Sequence, residues 1–222
     1  MKRIIYILFL GISLSQYAPD FDGEKAYDFL LKQCSFGPRY PGSKGHDLFQ
    51  KYLRNYLKDK SDTLIIYEHE AKHPYKDTSI MLYNFLARYN PDIDKRMLLL
   101  AHWDTREVAD KDSQKSKRNK PIIGANDGAS GVAVLLAIAE IVNENPLQNI
   151  GLDILLVDGE DMGVEGDIDS WGIGTQFFAR EIPTPKPEFG ICLDMVGDYS
   201  PEFLIEYYSY QFAPNIVSDV PF

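Results

Sequence analysis

Cysteine is scarce: the 222-residue chain has two, Cys34 and Cys192. So low a count excludes a disulfide framework and a cysteine-built zinc site, each of which needs several thiols. The two thiols are able to pair or to stay free, and sequence alone leaves both open. Cys192 lies in the apolar run Phe189-Gly190-Ile191-Cys192-Leu193, which predicts a buried free thiol. Basic residues are also in deficit, with Lys+Arg 23 against Asp+Glu 33 and a formal net charge of −10. A surface that acidic repels phosphate backbones and excludes nucleic acid as a partner. No phosphate-cradling loop is present, since the glycine-rich stretch 124–131 lacks the Gly-Lys-Ser/Thr ending. Ser130 is not a nucleophile elbow, because Gly128 stands two residues before it but Val132 two residues after. Fixed-period repeats, low-complexity segments and linkers are missing too, so a single domain is expected.

Long apolar runs are confined to the N-terminus. Met1-Lys2-Arg3 leads into the apolar stretch 4–14 and then into small and polar residues around Ser15. A charged start, a short apolar run and small residues at a cut site predict a secretory signal over 1–15. The run is too short to span a bilayer comfortably. The mature protein is therefore expected to be exported, periplasmic or extracellular, with no stable membrane span, and to fold as one domain over 16–222.

Hydrophobic residues at 45% and charged ones at 25% are ordinary globular values and argue against disorder. Helical spacing of Ala26, Phe29 and Leu30 predicts a helix over 24–33 that breaks at Gly37-Pro38. A second helix opens at Ser43-Lys44-Gly45-His46, with Leu48, Phe49, Tyr52, Leu53 and Leu57 recurring at three and four. Segments 63–69 and 79–89, rich in β-branched and aromatic residues, read as strands. The continuous apolar runs 97–101, 152–157 and 189–194 read as strands buried on both faces, and 203–207 as a further strand. Helices are expected over 131–143 and 171–180, and the polar stretch 110–120 as a solvated loop. Buried strands alternating with helices imply an α/β fold: one three-layer domain, a mixed and mostly parallel central sheet, helices on both faces.

The informative pattern is what ends each buried run. The first enters His102-Trp103-Asp104, the second Asp158-Gly159-Glu160-Asp161 and the third Asp194, while Asp127 sits in a glycine-rich turn just before a helix. In open α/β sheets ligands sit beyond the carboxyl ends of the strands, so these acids and one histidine should gather along one edge. Any single acid after a strand is usually a cap or turn former; three in succession are not explained that way. Clustered carboxylates repel unless a proton or cation neutralises them, and carboxylates with an imidazole suit zinc.

Taken together these motifs resemble the zinc aminopeptidase-like family and, within it, the glutaminyl cyclases (glutaminyl-peptide cyclotransferases). The resemblance is carried by Ala101-His102-Trp103-Asp104, Gly124-Ala125-Asn126-Asp127-Gly128-Ala129-Ser130-Gly131, Asp158-Gly159-Glu160-Asp161 and Leu193-Asp194-Met195-Val196-Gly197. Phe36-Gly37-Pro38-Arg39 with Pro41-Gly42-Ser43 is similar to the family's N-terminal region. The resemblance implies zinc held by Asp127, bridging if two metals bind, and by Asp161. It implies Glu160 as general acid/base and Asp194 beside the metal, either on a second ion or on the substrate. His102 would bind a second metal in the aminopeptidases but not zinc in the one-zinc cyclases. The cyclase branch is favoured by the aromatic-framed His102-Trp103-Asp104 and by the insertion 162–173, whose Trp171 would line the substrate pocket. Two departures stand out: the second acid of the pair is Asp161 where Glu is commoner, and all four histidines (His46, His69, His73, His102) precede Asp194. Since the family's last zinc-binding histidine lies well downstream, the resemblance implies a chain cut short at its C-terminus. The implied activity is conversion of the N-terminal glutamine of a peptide or protein to pyroglutamate with release of ammonia. The alternatives are a zinc aminopeptidase, or an inactive fragment or binding module of the same fold.

Overall fold

The apolar runs form one sheet in the computed structural model, which describes residues 18–200. The signal expected over 1–15 and the strand expected at 203–207 lie outside the described residues. Five strands take part: β1 (Thr63–Lys72), β2 (Ser79–Tyr89), β3 (Arg96–His102), β4 (Gly151–Val157) and β5 (Phe189–Cys192), in spatial order β1-β2-β4-β3-β5. β4, β3 and β5 run parallel, while β2 pairs antiparallel with both β4 and β1. The sheet is thus mixed, with its parallel half on the side that carries the acidic motifs.

The central strand β4 is buried at all seven positions, as its unbroken apolar run predicts. One face of the sheet is covered by α2 (Lys44–Lys60) and α3 (Ala129–Glu144), and α1 (Gly23–Ser35) packs on α3. Phe49, Leu53 and Leu57 of α2 and Val132, Leu135 and Leu136 of α3 join Phe85, Trp103, Ile154 and Leu156 there in the main core. On the opposite face Phe178 of α4 (Ile173–Arg180) packs against Leu86, Leu155 and Val157. The result is the expected three layers. Ser43 caps α2 by accepting from the His46 N–H, and Asp22 caps α1 in the same way from Lys25.

Two expectations are corrected. Among the described residues β5 is an edge strand with one neighbour, and all four of its residues are exposed, Phe189 at 54% and Ile191 at 49%. Cys192 is accordingly an exposed thiol rather than a buried one, and both cysteines are free. The helix expected from 171 starts two residues later, because Gly172 enters the left-handed region (φ 57°) and separates Trp171 from α4. Among the described residues no helix is long and apolar enough to cross a membrane.

Candidate metal centre

Strand register assembles the site. His102 pairs with Val157 across the parallel β3–β4 ladder, so the residues that follow each strand emerge side by side. Leu100 pairs with Cys192 across β3–β5, which sets Asp194 level with His102 two residues further on. Asp127 arrives from the turn before α3. That turn is tied to the 194–197 segment, where Ser130 Oγ accepts from the Val196 N–H at 3.0 Å and Asn126 Oδ1 from the Gly197 N–H at 2.8 Å. Gly128, at φ 86°, is required here: a Cβ would stand 2.6 Å from the Asp104 carbonyl and 3.3 Å from the His102 ring.

The outcome is a His-Asp-Asp cluster. His102 Nε2 lies 3.0 Å from Asp127 Oδ1 and 3.5 Å from Asp194 Oδ1, and one ligand atom from each residue lies within 4.8 Å of the others. Asp161 and Glu160 come in on the turn after β4, and their N–H groups donate to the two oxygens of Asp104, each at 3.1 Å. Asp104 is fully buried and also stands 3.5 Å from His102 Nδ1. It therefore fixes the turn that carries both acids and faces the imidazole. Sequence reasoning quoted Asp104 without giving it a role; the signal was its place two residues after His102.

Electrostatics follow the crowding. Burial raises the Asp161 carboxyl to about 8, reinforced by the charges of Asp127 and Asp104. Burial likewise raises the Glu160 carboxyl, which His102 partly offsets and Asp104, Asp194 and Asp127 reinforce. Burial opposes charge on the His102 ring, yet its contacts with Asp104, Asp127 and Asp194 prevail and raise its pKa well above the usual range. Asp194, nearer to solvent, is held low by His102. Several donor atoms here satisfy no hydrogen bond: both ring nitrogens of His102 and Asp161 Oδ2 are buried without one. His102 Nε2 converging with the carboxylates of Asp127 and Asp194 is the donor set a hard or borderline divalent cation needs, while Nδ1 faces Asp104. The residues fit a metal ion.

Two cavities open on this cluster. The inner one, about 480 Å³, is lined by His102, Glu160 and Asp194, with Leu100, Val157 and Trp171 as apolar wall. The outer one, about 600 Å³, is lined by Asp127 and also by Trp171. Trp171 thus lines both cavities. Its indole packs on Gly163, where a Cβ would overlap the ring at 1.9 Å. Of the six residues singled out in the sequence, His102, Asp127 and Asp194 form the cluster, Glu160 and Asp161 flank it, and Trp171 walls it. The loop 110–120 is largely exposed as expected, yet Asp110, Lys111 and Asp112 at its start line the outer cavity.

Residues 84–217 match peptidase family M28. The chain belongs to that family. Among solved structures it is similar to the glutaminyl cyclase of Bacteroides thetaiotaomicron, with 38% identity over 91% of this chain and 71% of that one, and a TM-score of 0.83. It is equally similar to a Zn-dependent exopeptidase from Parabacteroides distasonis, with 38% identity, the same coverage and a TM-score of 0.81. A leucine aminopeptidase precursor from Bacteroides thetaiotaomicron follows the same pattern, at 38% identity over 91% of this chain and 72% of that one, with a TM-score of 0.82. No protein with a curated description matches the chain. An M28 fold whose solved relatives are glutaminyl cyclases and zinc exopeptidases supports a zinc-dependent enzyme.

Proposed function

We propose that the chain is a zinc-dependent glutaminyl-peptide cyclotransferase, exported by its N-terminal signal and acting on peptides or proteins that begin with glutamine. The observation that carries this reading is the inner cavity, where Glu160 and Asp194 face an apolar wall completed by Trp171 of the 162–173 insertion. Asp127 and Asp161, with His102 and Asp194 beside them, are the residues that would hold zinc. Bound there, zinc supplies Lewis-acid polarisation of a substrate carbonyl.

The chain's own groups do the rest. In the reaction the α-amine of glutamine bonds to its own γ-carbonyl carbon, the γ C–N bond breaks, and ammonia leaves. Both reactants belong to one residue, so the cavity needs only to hold the side chain folded back, a proximity effect. Glu160 takes a proton from the attacking amine and delivers it to the departing nitrogen, which cannot leave as NH₂⁻. Burial raises its pKa, which suits a group that must hold and then release a proton. Asp194, kept anionic by His102, accepts hydrogen bonds from the nitrogen being expelled. The apolar face of Trp171, Leu100 and Val157 excludes water that would otherwise compete as nucleophile.

Hydrolysis of the first peptide bond is the rival reading, favoured by the equal identity to a Zn-dependent exopeptidase. Incubation with Gln-headed and Leu-headed peptides separates the two. Pyroglutamyl product with ammonia supports cyclisation, whereas free amino acids from both peptides would sink it.

A further inference from the structure

The reaction above occupies the inner cavity and leaves the larger outer one without a task. We propose that the outer cavity is the subsite for the second residue of the peptide substrate, and that it selects an apolar side chain there; this rests on the cyclase reading. The two cavities share Trp171, and the cluster spans them, with His102, Glu160 and Asp194 on the inner side and Asp127 on the outer. A peptide with its first residue in the inner cavity is continued past Asp127 into the outer one.

Both cations of the outer wall are already matched. Arg106 makes a two-point bond to Asp110, with Nε to Oδ1 at 2.9 Å and Nη2 to Oδ2 at 2.6 Å, and Lys111 pairs with Glu165 at 2.5 Å. The rest of the lining is Val108, Ala109, Ile122 and Trp171, together with Asp112, whose Oδ1 accepts from the Gln114 N–H at 2.7 Å. With both cations partnered, the wall offers no charge to an acidic side chain, and burial of an apolar one is the discriminating term.

The wall is also preformed. Arg106 Nη1 donates to the carbonyls of Asp161 and Gly163, each at 3.1 Å, and the guanidinium lies over the Trp171 ring at 5.0 Å. The loop closes on itself through Ala109 N–H to Lys120 O at 2.8 Å and Ile122 N–H to Arg106 O at 3.4 Å. Glu107 accepts from Tyr75 Oη at 3.0 Å and meets His73 Nε2 at 3.2 Å, which pins the loop to the β1–β2 connection. A subsite held this way needs little ordering when a ligand arrives.

The test uses the full chain with zinc added and two probes, the amidated dipeptides Gln-Leu and Gln-Gly. Products and kcat/KM are read from ammonia and amino-acid release, and Kd by calorimetry. Gln-Leu is expected to exceed Gln-Gly by about tenfold, the order given by partial burial of a leucine side chain. Ile122→Asp, and independently Val108→Asp, should bring that ratio close to one. Ile168→Asp, a change at a residue 85% exposed and outside both cavities, should leave it unaltered. A ratio near one in the unsubstituted protein, or an undiminished ratio in both cavity variants, overturns the subsite while cyclisation stands. Free glutamine in place of pyroglutamyl product overturns the cyclase reading instead, and the same ratio taken from hydrolysis still decides the subsite. If neither product forms, the ratio of the two dissociation constants decides it.

Discussion

Arg39 offers the sharpest test of how the site is held. Its guanidinium is completely buried with no carboxylate partner among the described residues, and burial lowers its pKa to about 10. At about 1.4 kcal/mol per tenfold, that drop corresponds to roughly 3 kcal/mol of unfavourable charge burial. What offsets it is a set of five backbone carbonyls: Trp103 at 3.3 Å, Gln33 and Gly37 at 3.4 Å, Ile123 at 3.0 Å and Gly124 at 3.1 Å. The side chain thereby ties the turn after α1 and the end of β3 to the loop that delivers Asp127. Arg39→Met removes the charge cost and strands the acceptors. Gln33 O and Gly124 O also accept N–H groups from Phe36 and Ala129, so three carbonyls lose their donor. At about 2 kcal/mol for the buried Trp103 carbonyl and about 1 for each of the two that water reaches, Gly37 and Ile123, roughly 4 kcal/mol is lost against about 3 recovered. The expected net loss is about 1 kcal/mol, which with an m-value of about 2–3 kcal/mol/M lowers the urea midpoint by about 0.4 M. Equilibrium unfolding followed by circular dichroism measures it. An unchanged or raised midpoint would refute the reasoning, because it would mean that the stranded carbonyls cost less than the buried charge.

Glu160→Gln keeps the shape of the site and removes its proton carrier, so turnover should fall by about 10²–10⁴ while zinc still stabilises the fold; near-normal turnover removes Glu160 from the mechanism. Zinc at a hundredfold excess over its Kd should add about 2.7 kcal/mol to unfolding stability, and Asp161→Asn should remove most of that gain. An equal zinc effect in the variant shows that Asp161 is not a ligand. Asp110 has its pKa lowered by the two-point bond from Arg106, so the folded state binds protons less readily than the unfolded one. The stabilisation is complete above the unfolded pKa near 4 and disappears as pH falls through the lower folded value. The pair is partly exposed, so its size is under about 1 kcal/mol. Thermal unfolding of wild type and Asp110→Asn should therefore differ slightly at pH 7 and converge toward pH 3; a gap that stays constant contradicts the assignment.

What the sequence made legible was local. Continuous apolar runs marked β3 and β4, and spacing at three and four marked α1 and α2, since burial of one stripe or of a whole strand leaves its period in the chain. The acids after β3 and β4 were legible for the same reason. The status of β5 was not, because Phe189-Gly190-Ile191-Cys192 is as apolar as a central strand, and only strand order makes it an edge. Nor could the sequence show that Trp171 lies under Arg106, as a cation–π contact across 65 positions has no periodicity. The part played by Asp104 is hidden likewise: an acid that accepts N–H groups from a turn 56 and 57 residues away looks in sequence like any cap.

The contrast between two buried aspartates shows what separates scaffold from site. Asp153 and Asp161 are exposed to nearly the same small extent, 2% and 6%, and both stand in or beside β4. Asp153 accepts from Arg88 Nε at 3.0 Å and from Arg96 Nε and Nη2 at 3.0 and 2.7 Å. Arg88 continues to the carbonyls of Thr184 and Pro185, so that charge is fully matched and fastens the segment after α4 to the sheet. Asp161 feels the His102 charge only against those of Asp127 and Asp104, and its nearest guanidinium, Arg106 Nη1 at 3.6 Å from Oδ1, is already committed to Asp110; among the described residues its Oδ2 accepts no hydrogen bond. An unmatched buried carboxylate costs stability wherever it occurs, so it persists only where something else supplies the missing charge. Asp127, Asp194 and Nε2 of His102 converge on one point, Nδ1 turns toward Asp104, and the Asp127 charge acts on Asp161 as well. The deficit is therefore shared by a cluster rather than borne by one residue, and a divalent cation relieves all of it at once while a proton on Asp161 relieves only one member.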